Sequence, residues 1–264
     1  MDRHSARRWL SRQEDDRVER LKAARVNDRS FLGGLKMDRL PQSEHAGPDS
    51  AVEVASLRRQ LIQAQIDTIL TLVAAVEAKD PYTERHSLHV PQYAESIART
   101  MHLSDRETDV IKTAALLHDS GKIGVPDAIL TKPGPLTVEE FTLVKQHPVT
   151  GAAILRSATC LRRELPLVLH HHERYDGTGY PEGLRGDQIP LGARILHTAD
   201  AIDAMICPRS YKRGLGLGSV MSELRLGRGT QFDPLVADAA LKWLDESPED
   251  LHTDPRGVRL CHVF

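Results

Sequence analysis

The sequence predicts an all-α fold, a multi-helix bundle with long functional loops. Aliphatic residues recur at helical spacing beyond position 51. Ser104 and Thr137 are each followed three residues later by a glutamate, which is typical of a capped helix start. The alternation of apolar and polar residues that marks a half-buried strand is almost absent. Glycine and proline interrupt the helical segments at 124–126, 132–135 and 177–190, which predicts loops there.

Residues 1–50 differ in composition from the rest of the chain and are interpreted as a flexible, charged N-terminal extension. They are rich in Arg, Asp and Glu, poor in aliphatic residues, and end in a proline- and glycine-containing segment, Pro41–Pro48. This composition is typical of a solvated arm, and a segment that docks a partner or regulates the protein is the alternative. We place the main domain at 51–245 and a C-terminal tail at 246–264.

A long first helix is predicted over residues 53–79. Its apolar positions recur at helical spacing and are Leu57, Leu61, Ile62, Ile66, Ile69, Leu70, Val73 and Val76. Core packing is the expected role of this face, and a homodimer formed through the 53–79 helix is the alternative.

The remaining helices are predicted from apolar spacing and from capping residues. They cover His86–Met101, the segment from Ser104 with Glu107 through Asp119, the segment that Thr137 and Glu140 open, and Ile195–Met205.

The composition excludes several classes of protein. A net charge of -2 provides no basic field for duplex nucleic acid. The longest apolar stretch, Ile69–Val76, is too short to cross a bilayer. The cysteines Cys160, Cys207 and Cys261 are far apart and odd in number, which fits a reducing compartment. We therefore expect a cytoplasmic protein that binds neither duplex nucleic acid nor a membrane.

Thirteen histidines in a chain with only 4% aromatic residues point to metal binding. His118 and Asp119 follow an apolar segment, where such a pair is costly unless it is hydrogen-bonded internally or binds a metal. Other candidates lie in segments that should pack inward: His86, His147, His170, His171, His172 and Asp200. Six or seven ligands without thiolates suit two ions of Fe, Mn, Ni or Zn that share a bridging carboxylate.

A series of motifs then extends from about residue 66 to residue 245. The motifs are Ala78–Ser87, His118–Asp127, Lys132–Gly134, His147–Pro148, His171–Arg174, Asp176–Pro181, Ile189–Arg194 and Gly229–Pro234. In order, spacing and identity the chain resembles the HD-GYP family, a branch of the HD superfamily of metal-dependent phosphohydrolases. The resemblance implies an HD-type bundle and a phosphodiesterase of bacterial second-messenger signalling. Members of the HD-GYP family hydrolyse cyclic di-GMP to pGpG and often on to GMP.

The resemblance also implies which residues hold the metal ions. They are His86, His118, Asp119, His147, His171, His172 and Asp200. Asp119 is expected to bridge two divalent ions, Fe or Mn in the first place, with Ni, Zn or Mg as alternatives. Tyr82 stands where some members carry a glutamate that holds a third ion, so two ions are expected. His89 and His170 lie outside the pattern and are not expected to be ligands.

Catalysis is expected to use a metal-bridging hydroxide that attacks phosphorus in line. Asp119 and Lys122 are the expected catalytic residues, and Lys122 would also bind the phosphate. The other expected substrate contacts are Gly179, Tyr180, Pro181, Arg209 and Lys212. Tyr180 is expected to stack on a guanine, although a Gly-x-Gly pattern by itself is usually a surface turn.

Two alternatives to a cyclic di-GMP phosphodiesterase stay open. The first is a phosphohydrolase of the same fold that acts on another nucleotide, such as a cyclic GMP–AMP dinucleotide or a guanosine alarmone. The second is a catalytically silent cyclic di-GMP receptor, which predicts the loss of metal ligands, and none is lost.

Arg85, Ser120, His197 and Ser210 depart from the family pattern without removing an expected ligand. A signalling protein is a further candidate partner.

Overall fold

The structure is a computed structural model that describes residues 83–206 and 215–248, together with scattered positions between 53 and 71. All of those scattered positions have helical backbone. The helices and the candidate site described below all belong to one compact unit, Thr71–His252.

The described part of this unit is helical and contains no strand, which confirms the predicted all-α fold. Its α-helices are α1 (Thr83–Thr100), α2 (Asp105–Leu117), α3 (Asp127–Leu130), α4 (Val138–Val144), α5 (His147–Leu155), α6 (Leu165–His170), α7 (Leu191–Ile206), α8 (Leu217–Gly227) and α9 (Pro234–Glu246). Short 3-10 helices lie at Ser120–Gly124, Thr159–Leu161 and Gly186–Gln188. None of the described helices combines the length and the apolarity that crossing a membrane would need.

The capping boxes predicted at Ser104 and Thr137 are both present. At the start of α2, the backbone N–H of Glu107 donates to Ser104 Oγ at 3.3 Å, and the Ser104 N–H donates to Glu107 Oε2 at 3.0 Å. At the start of α4, Thr137 and Glu140 make the same exchange at 3.2 and 2.7 Å. Each box satisfies backbone donors that the first turn of a helix leaves unpaired, which explains why these helices begin where they do.

Helix α2 ends two residues earlier than the sequence predicted. Its last residue is Leu117, His118 caps it, and Asp119 precedes the 3-10 helix Ser120–Gly124. The change from α to 3-10 geometry turns the chain directly after the His118–Asp119 pair. The two side chains therefore stand at a helix end and not along a helix face.

The core lies where α1 packs against α2, α7 and α9, and α5 packs against α6. It is mainly aliphatic, as the low aromatic content predicted, with fully buried residues such as Ile97, Leu117 and Ile202. A rare aromatic contact joins α1 to α9, because the rings of Tyr93 and Trp243 lie 5.4 Å apart. This packing fixes the ends of α2, α5 and α6 and the middle of α7 around one buried region.

Candidate metal centre

Three of the expected ligand histidines stand at helix ends and share one local geometry. In each, the ring Nδ1 donates to the backbone carbonyl three residues earlier, which leaves Nε2 without a proton. The three pairs are His118 with Ala115 at 2.6 Å, His147 with Val144 at 2.8 Å and His171 with Val168 at 2.7 Å. The local backbone therefore sets the tautomer of all three rings, with Nε2 as the available donor atom for a metal.

These Nε2 atoms converge in space although their residues are far apart in sequence. His86 Nε2 lies 3.0 Å from His118 Nε2, and His147 Nε2 lies 3.2 Å from His171 Nε2. His147 and His171 both carry their ring proton on Nδ1, so their two Nε2 lone pairs repel at this distance unless a cation lies between them. Two donors about 2.1 Å from a shared ion, at near-right angles, stand about 3 Å apart. The spacing thus fits a pair of ligands on one ion.

The converging atoms form two groups that could each hold a metal ion. One consists of His86, His118 and Asp119, and the other of His147, His171 and His172. Asp200 faces the first group, with Oδ1 at 3.4 Å from His86 Nε2. All seven residues that the sequence analysis singled out as ligands are therefore brought together.

Asp119 lies between the two groups and turns one oxygen toward each. Its Oδ2 is 3.6 Å from His86 Nε2 and 3.5 Å from His118 Nε2. Its Oδ1 is 3.4 Å from His147 Nε2. This is the placement that a carboxylate bridging two ions requires.

Burial and charge hold four of the candidate ligands in the protonation state that binds metal. Burial lowers the pKa of His147, lowers that of His171 well below its ordinary value, and lowers that of His172 to about 3. Burial by itself would raise the pKa of Asp119, but the ammonium of Lys122 and the neighbouring imidazoles hold it well below its usual range. Neutral imidazoles and charged carboxylates are the forms that coordinate cations, so these four residues need little proton release at neutral pH.

Close backbone packing aligns the ligand-bearing segments. A Cβ on Gly121 would lie 1.9 Å from the carbonyl oxygen of His147, so the 3-10 helix touches the start of α5 through a bare glycine. In the following turn, Lys122 Nζ lies 2.6 Å from Asp119 Oδ2. Lys122 is thus positioned beside the carboxylate that faces both groups.

The Gly177–Pro181 loop folds back onto the ligand segment. Tyr180 donates its N–H to the His172 carbonyl at 3.2 Å, and its ring lies 4.8 Å from the His172 imidazole at an interplanar angle of 31°. A Cβ on Gly179 would lie 2.3 Å from the Arg174 nitrogen. The glycine therefore admits close packing of the loop on its own backbone, and the substrate contact expected at Gly179 stays a prediction.

Glu173 secures the far side of the same loop. This buried carboxylate accepts the backbone N–H groups of Glu182 at 2.7 Å and Gly183 at 3.0 Å through Oε1. Pro181, between these contacts and Tyr180, follows a cis peptide bond. Tyr180 and Pro181 are thus held beside His172, while Arg209 and Lys212 lie outside the described residues.

Sequence reasoning missed Asp203, which orients one of the ligands. The buried carboxylate accepts from His86 Nδ1 at 2.7 Å through Oδ2 and from His89 Nδ1 at 3.1 Å through Oδ1. The first contact leaves His86 Nε2 as the donor atom for a metal. Burial by itself lowers the pKa of His86, but the Asp203 hydrogen bond and the charges of Asp200, Asp203 and Asp119 raise it overall. The available signal was the three-residue spacing from Asp200, which puts both carboxylates on one face of α7.

Three further histidines, His197, His89 and His170, contact residues around the candidate ligands. His197 donates Nδ1 to the His171 carbonyl at 2.9 Å, so it fixes the backbone of a candidate ligand. His89 contacts Asp203, and His170 Nδ1 lies 3.9 Å from Glu173 Oε1. Neither belongs to the two ligand groups found among the described residues.

Replacing Asp203 with asparagine is expected to weaken metal binding about 10- to 100-fold, the usual effect of losing a carboxylate partner of a ligand histidine. The amide keeps the shape of the side chain but removes its charge, so His86 is held less firmly in the required tautomer. Titration calorimetry with Mn²⁺ measures the affinity. The surface variant Asp238→Asn, which disturbs only an exposed pair with Arg228, should bind like the wild type. An unchanged affinity in Asp203→Asn would show that this carboxylate does not orient the ligand.

The fold and the arrangement of imidazoles and carboxylates define a helical protein with a candidate metal centre. Comparison with known proteins identifies it further. The HD domain family matches residues 70–236, so the chain belongs to the HD domain family.

Several curated relatives are similar over most of this chain. A cyclic di-GMP phosphodiesterase of Thermotoga maritima is 42% identical over 70% of this chain and 51% of its own length. A probable cyclic di-GMP phosphodiesterase of Vibrio cholerae is 38% identical over 72% of this chain and 47% of its own length. A 3'3'-cGAMP-specific phosphodiesterase 3 of the same organism is 34% identical over 92% of this chain and 51% of its own length. The chain therefore spans about half the length of these relatives.

Solved structures support the fold. A cyclic GMP-AMP specific phosphodiesterase of V. cholerae superposes with a TM-score of 0.54 at 18% identity, over 70% of this chain and 49% of that one. The helical arrangement is thus shared with an HD-fold enzyme.

Proposed function

We propose that this chain is a metal-dependent phosphodiesterase that hydrolyses cyclic di-GMP to pGpG and, in a second step, to GMP. The observation that carries the proposal is the convergence of two groups of three candidate ligands. Asp119 of the first group also faces the second, and Asp200 faces the first. The relatives named cyclic di-GMP phosphodiesterases, 37–42% identical to this chain, support the choice of reaction and substrate.

In the proposed centre, His86, His118 and Asp200 would hold one ion, His147, His171 and His172 would hold the other, and Asp119 would contact both. The donor set, nitrogen and carboxylate oxygen without thiolate, favours Fe or Mn, with Ni, Zn or Mg as alternatives. Bound ions supply hydroxide near neutral pH and neutralise charge on the phosphate.

The protein's own residues supply the remaining steps. Lys122, whose ammonium already lies beside Asp119, donates to a phosphate oxygen and stabilises the charge that grows on the leaving ribose oxygen. Tyr180, held against His172, provides an aromatic surface for a base. Gly179 and Pro181 hold that ring in place, and Arg209 and Lys212 are proposed to bind the second phosphate.

A cyclic GMP–AMP dinucleotide is the second candidate substrate, because three relatives named as cGAMP-specific phosphodiesterases are 33–35% identical to this chain. Homodimerisation through the 53–79 helix, the domain boundaries at 50 and 246, a signalling-protein partner and a cytoplasmic location stay predictions. The N-terminal extension and most of that helix lie outside the described residues.

The test is product analysis after anaerobic loading of the full chain with Fe²⁺ or Mn²⁺. Incubation with cyclic di-GMP is expected to yield pGpG, identified by liquid chromatography and mass spectrometry, and prior removal of metal by a chelator is expected to stop it. Cyclic GMP–AMP run in parallel distinguishes the two candidate substrates. Intact cyclic di-GMP at full metal occupancy would contradict the proposal and would favour the silent receptor if the dinucleotide binds without being cleaved.

A further inference from the structure

Lys145 places a positive charge at the edge of the candidate site. It caps the C-terminal end of α4, two residues before His147. Its Nζ lies 4.7 Å from the centroid of the Phe141 ring and 5.5 Å from that of Tyr180. The Tyr180 ring in turn lies 4.8 Å from the imidazole of His172. The ammonium is therefore one aromatic ring away from the metal-ligand groups.

Within the described part of the chain, no carboxylate lies within ion-pair distance of this ammonium. Other lysines near the site do have such partners, since Lys122 contacts Asp119 at 2.6 Å and Lys132 contacts Glu140 at 2.6 Å. The faces of Phe141 and Tyr180 attract the cation electrostatically, but they accept no strong hydrogen bonds. Its N–H donors thus remain available to a ligand beside Tyr180.

We propose that Lys145 is a substrate-binding residue that selects guanine over adenine, an inference that rests on the proposed phosphodiesterase function. A base that packs against Tyr180 presents its edge to the neighbouring ammonium. An ammonium can only donate hydrogen bonds. Guanine offers two acceptors on one edge, O6 and N7, whereas adenine offers N7 beside the N6 amino donor. The ammonium therefore matches guanine and opposes adenine at this position.

Two other roles of Lys145 make different predictions. A contact to a phosphate would serve all cyclic dinucleotides equally, because the sugar–phosphate ring is common to them. A role limited to holding the Tyr180 ring would likewise affect stacking of either purine. Only recognition of the base edge makes the effect of the lysine depend on which base is present.

The test compares kcat/KM for cyclic di-GMP and cyclic di-AMP in the metal-loaded full chain. Lys145→Met, which keeps the apolar stem, is expected to lower kcat/KM for cyclic di-GMP about tenfold, mainly through KM, and to change that for cyclic di-AMP less than about twofold. Lys145→Arg keeps the donors and should retain most of the guanine preference. Lys242→Met, at an exposed position of α9, is the matched control and should leave both values unchanged.

Metal content and thermal unfolding are measured for each variant to show whether it is folded. If Lys145→Met is not folded, the guanine preference of Lys145→Arg provides the test. An equal loss for both dinucleotides, or no loss in Lys145→Met, would overturn the assignment while leaving the proposed function in place. A wild-type protein that cleaves neither dinucleotide would refute the proposed function itself and this inference with it.

Discussion

Replacing Asp119 with alanine is expected to abolish hydrolysis of cyclic di-GMP, with a loss of at least about 10³-fold in kcat. Asp119 is the only described carboxylate that turns one oxygen toward each ligand group. Without it, two ions would have to share the space among five imidazoles with far less compensating negative charge. Metal content by mass spectrometry should fall, and turnover should fall with it.

The fold is expected to survive this change. Alanine removes a buried charge at the end of α2 but leaves the apolar core intact, so the helical circular dichroism spectrum should be unchanged. Asp105→Ala, at an exposed position on the first turn of the same helix, provides the matched control and should keep full activity. Turnover retained by Asp119→Ala would mean that Asp119 does not bridge the ions.

Replacing Lys122 with methionine is expected to lower kcat about 10²- to 10³-fold, the effect of losing one charged donor aimed at the reacting phosphate. The metal content should stay near that of the wild type, because an ammonium is not a ligand. The steady-state measurement should show a smaller change in KM than in kcat, since the interaction strengthens as charge grows on the leaving oxygen.

Lys242→Met again provides the control for loss of a lysine charge. If Lys122→Met loses metal in proportion to its activity, the lysine acts by stabilising the Asp119 carboxylate, from which it lies 2.6 Å, and not by binding phosphate. An unchanged kcat would remove Lys122 from the mechanism altogether.

Much of the fold was predictable because its signals are local. The capping boxes at Ser104 and Thr137 involve residues three positions apart, and the structure contains both. The aliphatic character of the core follows directly from composition. The end of α2 was less predictable, because apolar spacing continues to His118 while the backbone already changes toward 3-10 geometry.

The candidate ligands could be singled out from the sequence only because several motifs occur together and resemble a known family. No local pattern shows that His86 meets Asp203, 117 positions later. That contact depends on how α1 and α7 pack. At Gly179 the sequence indicates that the backbone can turn freely, but it does not show that the Arg174 backbone packs closely against this glycine.

Anomalous X-ray diffraction from crystals of the Mn²⁺-loaded protein locates the bound ions directly. We expect two manganese peaks, one bounded by His86, His118, Asp119 and Asp200, the other by Asp119, His147, His171 and His172. Peaks away from these side chains, or a fully loaded crystal with a single ion that does not contact Asp119, would contradict the proposed two-ion centre.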